Sequence, residues 1–189
     1  MRVRTFIAVD VVEEVIDAVS RVQKRLGSTG AKIRLVEPGS MHLTVRFVGD
    51  FEEARLADLC AAAKRAASAV KPFELRFAGV GAFPKPESPR VVFLGCTDEP
   101  KGSISKLHDL LEAELVDMGL PRDGQRFKPH LTLARVRAQD KIGELTEVIS
   151  RFNDFEAGVS LVEEMSVYLS ELTSSGPVYT RACRVDLCG

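Results

Sequence analysis

The sequence has no tryptophan, two tyrosines and three histidines in 189 residues, and each shortage excludes something. Three histidines with no H-x-H or H-E-x-x-H pattern leave no histidine-rich metal site. The four cysteines, Cys60, Cys96, Cys183 and Cys188, form no C-x-x-C pair and do not flank a histidine at ligand spacing. Zinc ribbons and dithiol redox motifs are therefore excluded, and the expectation is four reduced, mostly buried thiols in a cytoplasmic protein. No stretch of 18 apolar residues occurs, so no transmembrane helix is expected. The apolar run near the start is too short for a signal sequence and is closed by Asp10. Charge of one sign is also missing: 26 basic against 27 acidic residues give a net charge of −1. No bulk field draws the chain to nucleic acid, so any such contact must come from a local patch that reads an end or a nucleotide.

What is present is an ordinary globular composition, 45% hydrophobic and 28% charged, sized for one domain or two small lobes sharing a core. Residues 3–9 read as a strand, and apolar residues recur at helical spacing over 11–26. Residues 31–36 read as a short strand and 37–40 as a turn. A strand over 42–48 is expected to stop at Gly49-Asp50. A helix over 52–70, a strand over 73–80, a proline-dense loop over 81–89, a strand over 90–96 and a helix over 101–118 follow. The order then restarts with a strand over 130–136, a helix over 140–152 and strands over 155–162, 164–172 and 178–187. Strand, helix, strand, strand thus occurs twice, roughly over 42–96 and 130–187, within a single domain spanning 1–189. The expected class is α+β: two pseudo-symmetric lobes whose antiparallel sheets face a central groove, with helices outside.

Both repeats open on the same tripeptide, His42-Leu43-Thr44 followed by Val45, and His130-Leu131-Thr132 followed by Leu133. In a strand, side chains alternate faces, so each His–Thr pair points one way and each apolar pair points into a core. Two such strands around one groove supply two imidazoles and two hydroxyls. That set suits phosphodiester opening: one imidazole takes a proton from attacking water, the other protonates the leaving oxygen, and the hydroxyls donate to phosphate oxygens. With imidazole titrating near pH ~6.5, one neutral and one charged ring are expected to coexist around neutrality. No metal or other cofactor is called for.

These residues carry a resemblance. The chain resembles the two-histidine phosphoesterase superfamily, marked by two H-x-T-x motifs, and within it the RNA 2′,3′-cyclic phosphodiesterases, also called 2′-5′ RNA ligases. The similar segments run nearly its whole length: Arg4-Thr5-Phe6-Ile7-Ala8-Val9-Asp10, the two motif strands, Gly81-Ala82-Phe83-Pro84, Arg90-Val91-Val92-Phe93-Leu94-Gly95 and Gly176-Pro177-Val178-Tyr179. The resemblance implies hydrolysis of a 2′,3′-cyclic phosphate to a 2′-phosphate, with weak ATP-independent 2′-5′ joining as the reverse. It implies RNA ends or nucleotides bearing that group as partners; separately, no membrane and a monomer are expected. It also implies His130 as base, His42 as acid, and a phosphate- or nucleotide-binding role for Arg135. Leu35 and Phe93 stand where the family often has tryptophan, and Lys128 where arginine is common. Two rival readings stay open: a phosphodiesterase acting on another cyclic or 2′-5′ nucleotide, and a nucleotide-binding module that turns nothing over.

Other residues divide by position. Strict alternation turns Arg135 away from His130 unless a bulge intervenes. Arg46, at an even offset from His42, faces the groove or is a solvated strand arginine. Arg122, Arg126 and Lys128 read as a solvated loop more readily than as an RNA contact, and Lys85 has the weaker claim. Phe6 and Phe83 are core rings by default, with base stacking as the alternative. His108, in a helix and outside any motif, reads as a solvated or capped side chain.

Overall fold

β-branched and aromatic residues make the first strand, β1 (Arg2–Asp10), and place Phe6, Ile7, Ala8 and Val9 in the core. Helix α1 (Glu13–Gly27) buries Val15, Val19, Val22 and Leu26 along one stripe, with Glu13 and Glu14 in its first turn and Lys24 and Arg25 in its last. A computed structural model, describing residues 1–174 and 176–189, then gives β2 (Ile33–Leu35), β3 (His42–Glu52), α2 (Leu56–Ser68), β4 (Phe73–Phe83) and β5 (Val91–Glu99). After α3 (Ser103–Asp117) come β6 (His130–Val136), α4 (Gly143–Arg151), β7 (Glu156–Val162), β8 (Glu164–Leu172) and β9 (Pro177–Asp186).

The α+β expectation holds. All strand pairs are antiparallel, in a four-stranded sheet of order β3-β1-β8-β9 and a five-stranded sheet of order β2-β6-β5-β4-β7. The motif strands lie in different sheets. The hairpin β4–β5, which follows β3 in sequence, pairs with β6, and the hairpin β8–β9, which follows β6, sits in the sheet of β3. Each sheet thus joins the motif strand of one half to the hairpin of the other. Helices α1 and α4 pack on the five-stranded sheet, α2 on β8 and β9, and α3 on β3. The groove between the sheets is lined almost wholly by strands and loops.

Some element ends differ from the sequence expectation. β3 runs through Gly49 to Glu52, because Gly49 adopts φ +82° without breaking the ladder to β1. The expected helix over 52–70 opens as a 3-10 turn at Glu53–Arg55 and is α-helical from Leu56. β4 extends to Phe83, so the proline-dense loop starts later than its composition implied.

Cysteine is the clearest correction. Cys60 of α2 and Cys183 of β9 form a disulfide, Cys96 is half-buried and free, and Cys188 is exposed and free. The expectation of four reduced, mostly buried thiols fails because the tertiary fold brings together two cysteines separated by 123 positions, a proximity no local spacing encodes. No helix among the described residues is long and apolar enough to cross a membrane.

Candidate functional site

Leu43, Val45, Leu131 and Leu133 are essentially fully buried, while His42, Thr44, His130 and Thr132 are half-buried and line one groove. Period-two alternation puts each motif's apolar pair in the core and its His–Thr pair in the groove. The groove has a volume of about 760 Å³, within the range of small-molecule sites.

Both imidazoles are held alike. His42 Nδ1 lies 2.9 Å from the Ser40 carbonyl, and His130 Nδ1 lies 2.6 Å from the Lys128 carbonyl, each acceptor two residues upstream. A carbonyl only accepts, so Nδ1 donates in both rings, leaving Nε2 as the nitrogen a bound group can meet. Rings back both histidines. Phe6 stacks on His42 with centroids 4.6 Å apart, and Tyr179 approaches the same imidazole edge-on at 5.3 Å. Phe83 and Phe93, stacked at 4.2 Å, meet His130 edge-on at 5.0 and 5.5 Å. Gly81 makes room for that pair: a Cβ there would lie 2.7 Å from the Phe93 ring.

This packing lowers the basicity of both histidines. Burial takes His42 down to about 4, opposed by the Ser40 carbonyl and the Asp10 carboxylate and assisted by the charge of Arg135. Burial also lowers His130, opposed by the Lys128 carbonyl and assisted by Arg135. Burial among apolar rings and the charge of Arg135 both favour the neutral imidazoles, which runs against the expectation of one charged ring near neutrality.

A shared backbone irregularity decides where the next side chains go. Along β1, Ile7 faces Arg46 and Ala8 faces Thr44, so Val45 is the extra residue of a bulge. Along β5, Val92 faces Ala134 and Phe93 faces Thr132, so Leu133 is the extra residue at the matching position. Each bulge buries two consecutive residues, Val45 with Arg46 and Leu133 with Ala134, and returns the next one to the groove. Arg135 therefore lines the groove, although strict alternation turned it away.

Arg46 takes neither of the expected roles as its main one. It is only 9% exposed and pairs with Glu112 of α3. It also donates to the carbonyls of Phe47 and, at 2.7 Å, Pro121, although its atoms still reach the groove wall. Glu112 accepts from the Asp123 backbone N–H at 3.1 Å, so α3 anchors the loop that leads to His130. His108 corrects the solvated reading: it is 9% exposed, stacks on Phe127 with centroids 4.2 Å apart, and lines the groove. The sequence missed this role because Phe127 lies outside the helix that carries His108. Arg126 and Lys128 also line the groove, whereas Arg122 and Lys85 do not. Phe6 is buried, as the core default held, and its face supports His42. Sequence reasoning also missed Phe47 and Tyr179; for Phe47, the bulge considered for Arg135 was the available signal.

Arg4, Arg34, Arg126, Lys128, Arg135 and Arg137 contribute to the lining against Glu37 and Asp123, so this near-neutral protein has a cationic groove. Two imidazoles, two hydroxyls and a set of cationic side chains lining one groove make a site of the phosphoester-handling class. The chain belongs to the LigT-like phosphoesterase family, whose description matches it twice, over residues 9–93 and 94–179. A Methanothermobacter thermautotrophicus relative named RNA 2′,3′-cyclic phosphodiesterase is 39% identical over 95% of this chain and 96% of its own. An Archaeoglobus fulgidus relative of the same name is 33% identical over 93% and 96%. The crystal structure of a Thermus thermophilus protein has a TM-score of 0.83 at 32% identity, covering 100% of this chain and 99% of that one. E. coli LigT, solved with 3′-AMP, has the same fold at 23% identity, with a TM-score of 0.79 and full coverage of both chains.

Proposed function

We propose that this chain is an RNA 2′,3′-cyclic phosphodiesterase that opens the cyclic phosphate at an RNA end and leaves a 2′-phosphate. The observation that carries the reading is the pair of imidazoles, held by matching Nδ1–carbonyl bonds on two sibling strands and facing one cationic groove. The names of the relatives support the substrate.

In the proposed reaction His130 Nε2 takes a proton from water as its oxygen attacks phosphorus. The bond from phosphorus to the 3′-oxygen breaks, and His42 Nε2 protonates that oxygen. Thr44 and Thr132 donate to the non-bridging oxygens, and Arg135 pairs with their charge. The assignment of His42 as acid and His130 as base is the one the family resemblance implies; the Asp10 carboxylate partly opposes the burial that lowers His42. Burial opposes a charge on His42, and a phosphodiester anion between the rings offsets it. The same displacement with a 5′-hydroxyl in place of water, the 3′-oxygen again leaving, would join 2′-5′ ends weakly and without ATP. The proposal keeps the acting species as a cytoplasmic monomer; the Cys60–Cys183 disulfide is the observation that stands against a reducing compartment.

The deciding experiment is hydrolysis of a 2′,3′-cyclic nucleotide in excess EDTA with the product identified. Turnover to the 2′-phosphate is expected; absent turnover favours the binding-module reading, and chelator-sensitive turnover restored by a divalent ion sinks the metal-free mechanism. Arg135→Ala is expected to raise KM by roughly tenfold or more, because a charge-assisted guanidinium bond is worth about 1.5–3 kcal/mol. An unchanged KM in steady-state assays would remove Arg135 from the site.

A further inference from the structure

We propose that Gln23 is a positioning residue: it fixes the β6 bulge from behind and so keeps Arg135 turned into the groove. This inference rests on the cyclic phosphodiesterase reading and adds to it a residue that lies outside the groove.

Gln23 is the one polar side chain among the buried residues of α1. It is only 7% exposed and does not line the groove. Its amide nitrogen lies 2.8 Å from the Val36 carbonyl and 3.0 Å from the Leu133 carbonyl. Both carbonyls only accept, so the amide turns its two N–H donors to them. Neither carbonyl belongs to α1. The helix thus spends a buried amide on the backbone of two other segments.

One of those carbonyls is the bulge itself. Leu133 is the extra residue of β6 and faces no residue of β5. Its carbonyl accepts from the Val36 backbone N–H at 2.9 Å and from Gln23, so both of its lone pairs are used. The bulge decides the face of every side chain that follows it, because a shift of one residue exchanges the two faces of a strand. With it, Arg135 lines the groove; with regular alternation from His130, Arg135 points away.

Charge works against that placement, which is why the backbone needs a fixture. Arg135 lies directly opposite Arg34 of β2, and both side chains line the groove. Like charges at facing positions of neighbouring strands repel. Gln23 is bonded two residues beyond Arg34, at Val36, and two residues before Arg135, at Leu133. It clips the two strands together beside the repelling pair. The β3 bulge is secured by another buried polar group, Arg46, through Glu112 of α3 and the Phe47 carbonyl.

The test is calorimetric binding of adenosine 2′-phosphate, the product of the proposed reaction, to the parent, Gln23→Met, Arg135→Ala and the double variant, well below each melt. Methionine keeps the length of the side chain and loses the donor. Gln23→Met is expected to weaken binding by roughly 3–30-fold, the size of a coupling between groups that share partners. In the Arg135→Ala background the same change is expected to alter binding by less than about twofold, because the group it displaces is gone. Val19→Ala, a fully buried change on the same helix that leaves the amide and both carbonyls in place, is expected to lower the melt and keep parental binding. Gln23→Asn keeps the donor one methylene short. It is expected to lose less, with the same dependence on Arg135, and it decides the matter where Gln23→Met does not fold. Parental binding by the Gln23 variants, the same loss with and without Arg135, or an equal loss in Val19→Ala overturns the proposal. So does a parent that does not bind the probe, since Arg135 then meets no anion. If the parent shows the Gln23–Arg135 coupling yet does not hydrolyse 2′,3′-cyclic AMP, the positioning role stands and the proposed reaction fails.

Discussion

His42→Ala and His130→Ala are each expected to lose about 10²–10⁴-fold in turnover of a 2′,3′-cyclic nucleotide, the usual worth of a positioned acid or base. The double variant should lose little more than the worse single one, because proton removal and proton delivery serve the same displacement. A substrate with an activated leaving group no longer needs an acid. It should rescue His42→Ala and not His130→Ala, and the opposite pattern exchanges the two roles. Near-parental turnover in either single variant removes the acid–base pair.

The packing around the rings places the pH dependence of that activity. kcat/KM reports the free protein, where burial holds His42 at about 4 and lowers His130 from its ordinary value of 6.5. One ring must be charged and the other neutral, so the kcat/KM bell is expected to centre on the acid side of pH 6.5. It belongs to the pair and not to either ring alone. A bound phosphodiester adds negative charge beside both imidazoles and raises both, so the kcat bell should sit at higher pH than the kcat/KM bell. A kcat/KM profile centred above pH 7 would mean that the rings are solvated in the working protein.

Local pattern carried much of this site, and long-range geometry carried the rest. The tripeptide His-Leu-Thr and its repetition disclosed which side chains share a face, because strand alternation is a property of the chain itself. The same rule misplaced Arg135 and left Arg46 undecided, because each bulge shifts the alternation by one residue and depends on the neighbouring strand. His108 carried no signal, since Phe127, the ring it stacks on, lies outside its helix in the loop before β6. The pairing of each motif strand with the other half's hairpin was invisible for a similar reason: hairpins are local, but the sheet they join is not. The Ser40 and Lys128 carbonyls, which fix both tautomers, belong to the backbone and leave no mark on residue identity.

Reduction of the Cys60–Cys183 bond is expected to lower stability without abolishing turnover. The bond ties α2 to β9, the edge strand of the four-stranded sheet, which is hydrogen-bonded on only one side, to β8. It closes a loop across a separation of 123 positions. On the chain-entropy account, loops of about that length stabilise by up to about 5 kcal/mol, with about 2–4 kcal/mol typical of measured bonds. For a domain of this size that corresponds to a fall in Tm of roughly 5–15 °C, measured as the difference between oxidised and reduced melts. The groove should survive at temperatures well below the melt. Of its named groups only Tyr179 lies on β9, and the full ladder between β8 and β9 holds that strand in register. Thiol titration of the unfolded protein supplies the independent check: two reactive groups, Cys96 and Cys188, before reduction and four after it. Cys60→Ala and Cys183→Ala should each reproduce the lower Tm, and reductant should then have no further effect on either variant. Four reactive thiols before reduction, or identical melts with and without reductant, would return the protein to the reduced state expected from its cysteine spacing.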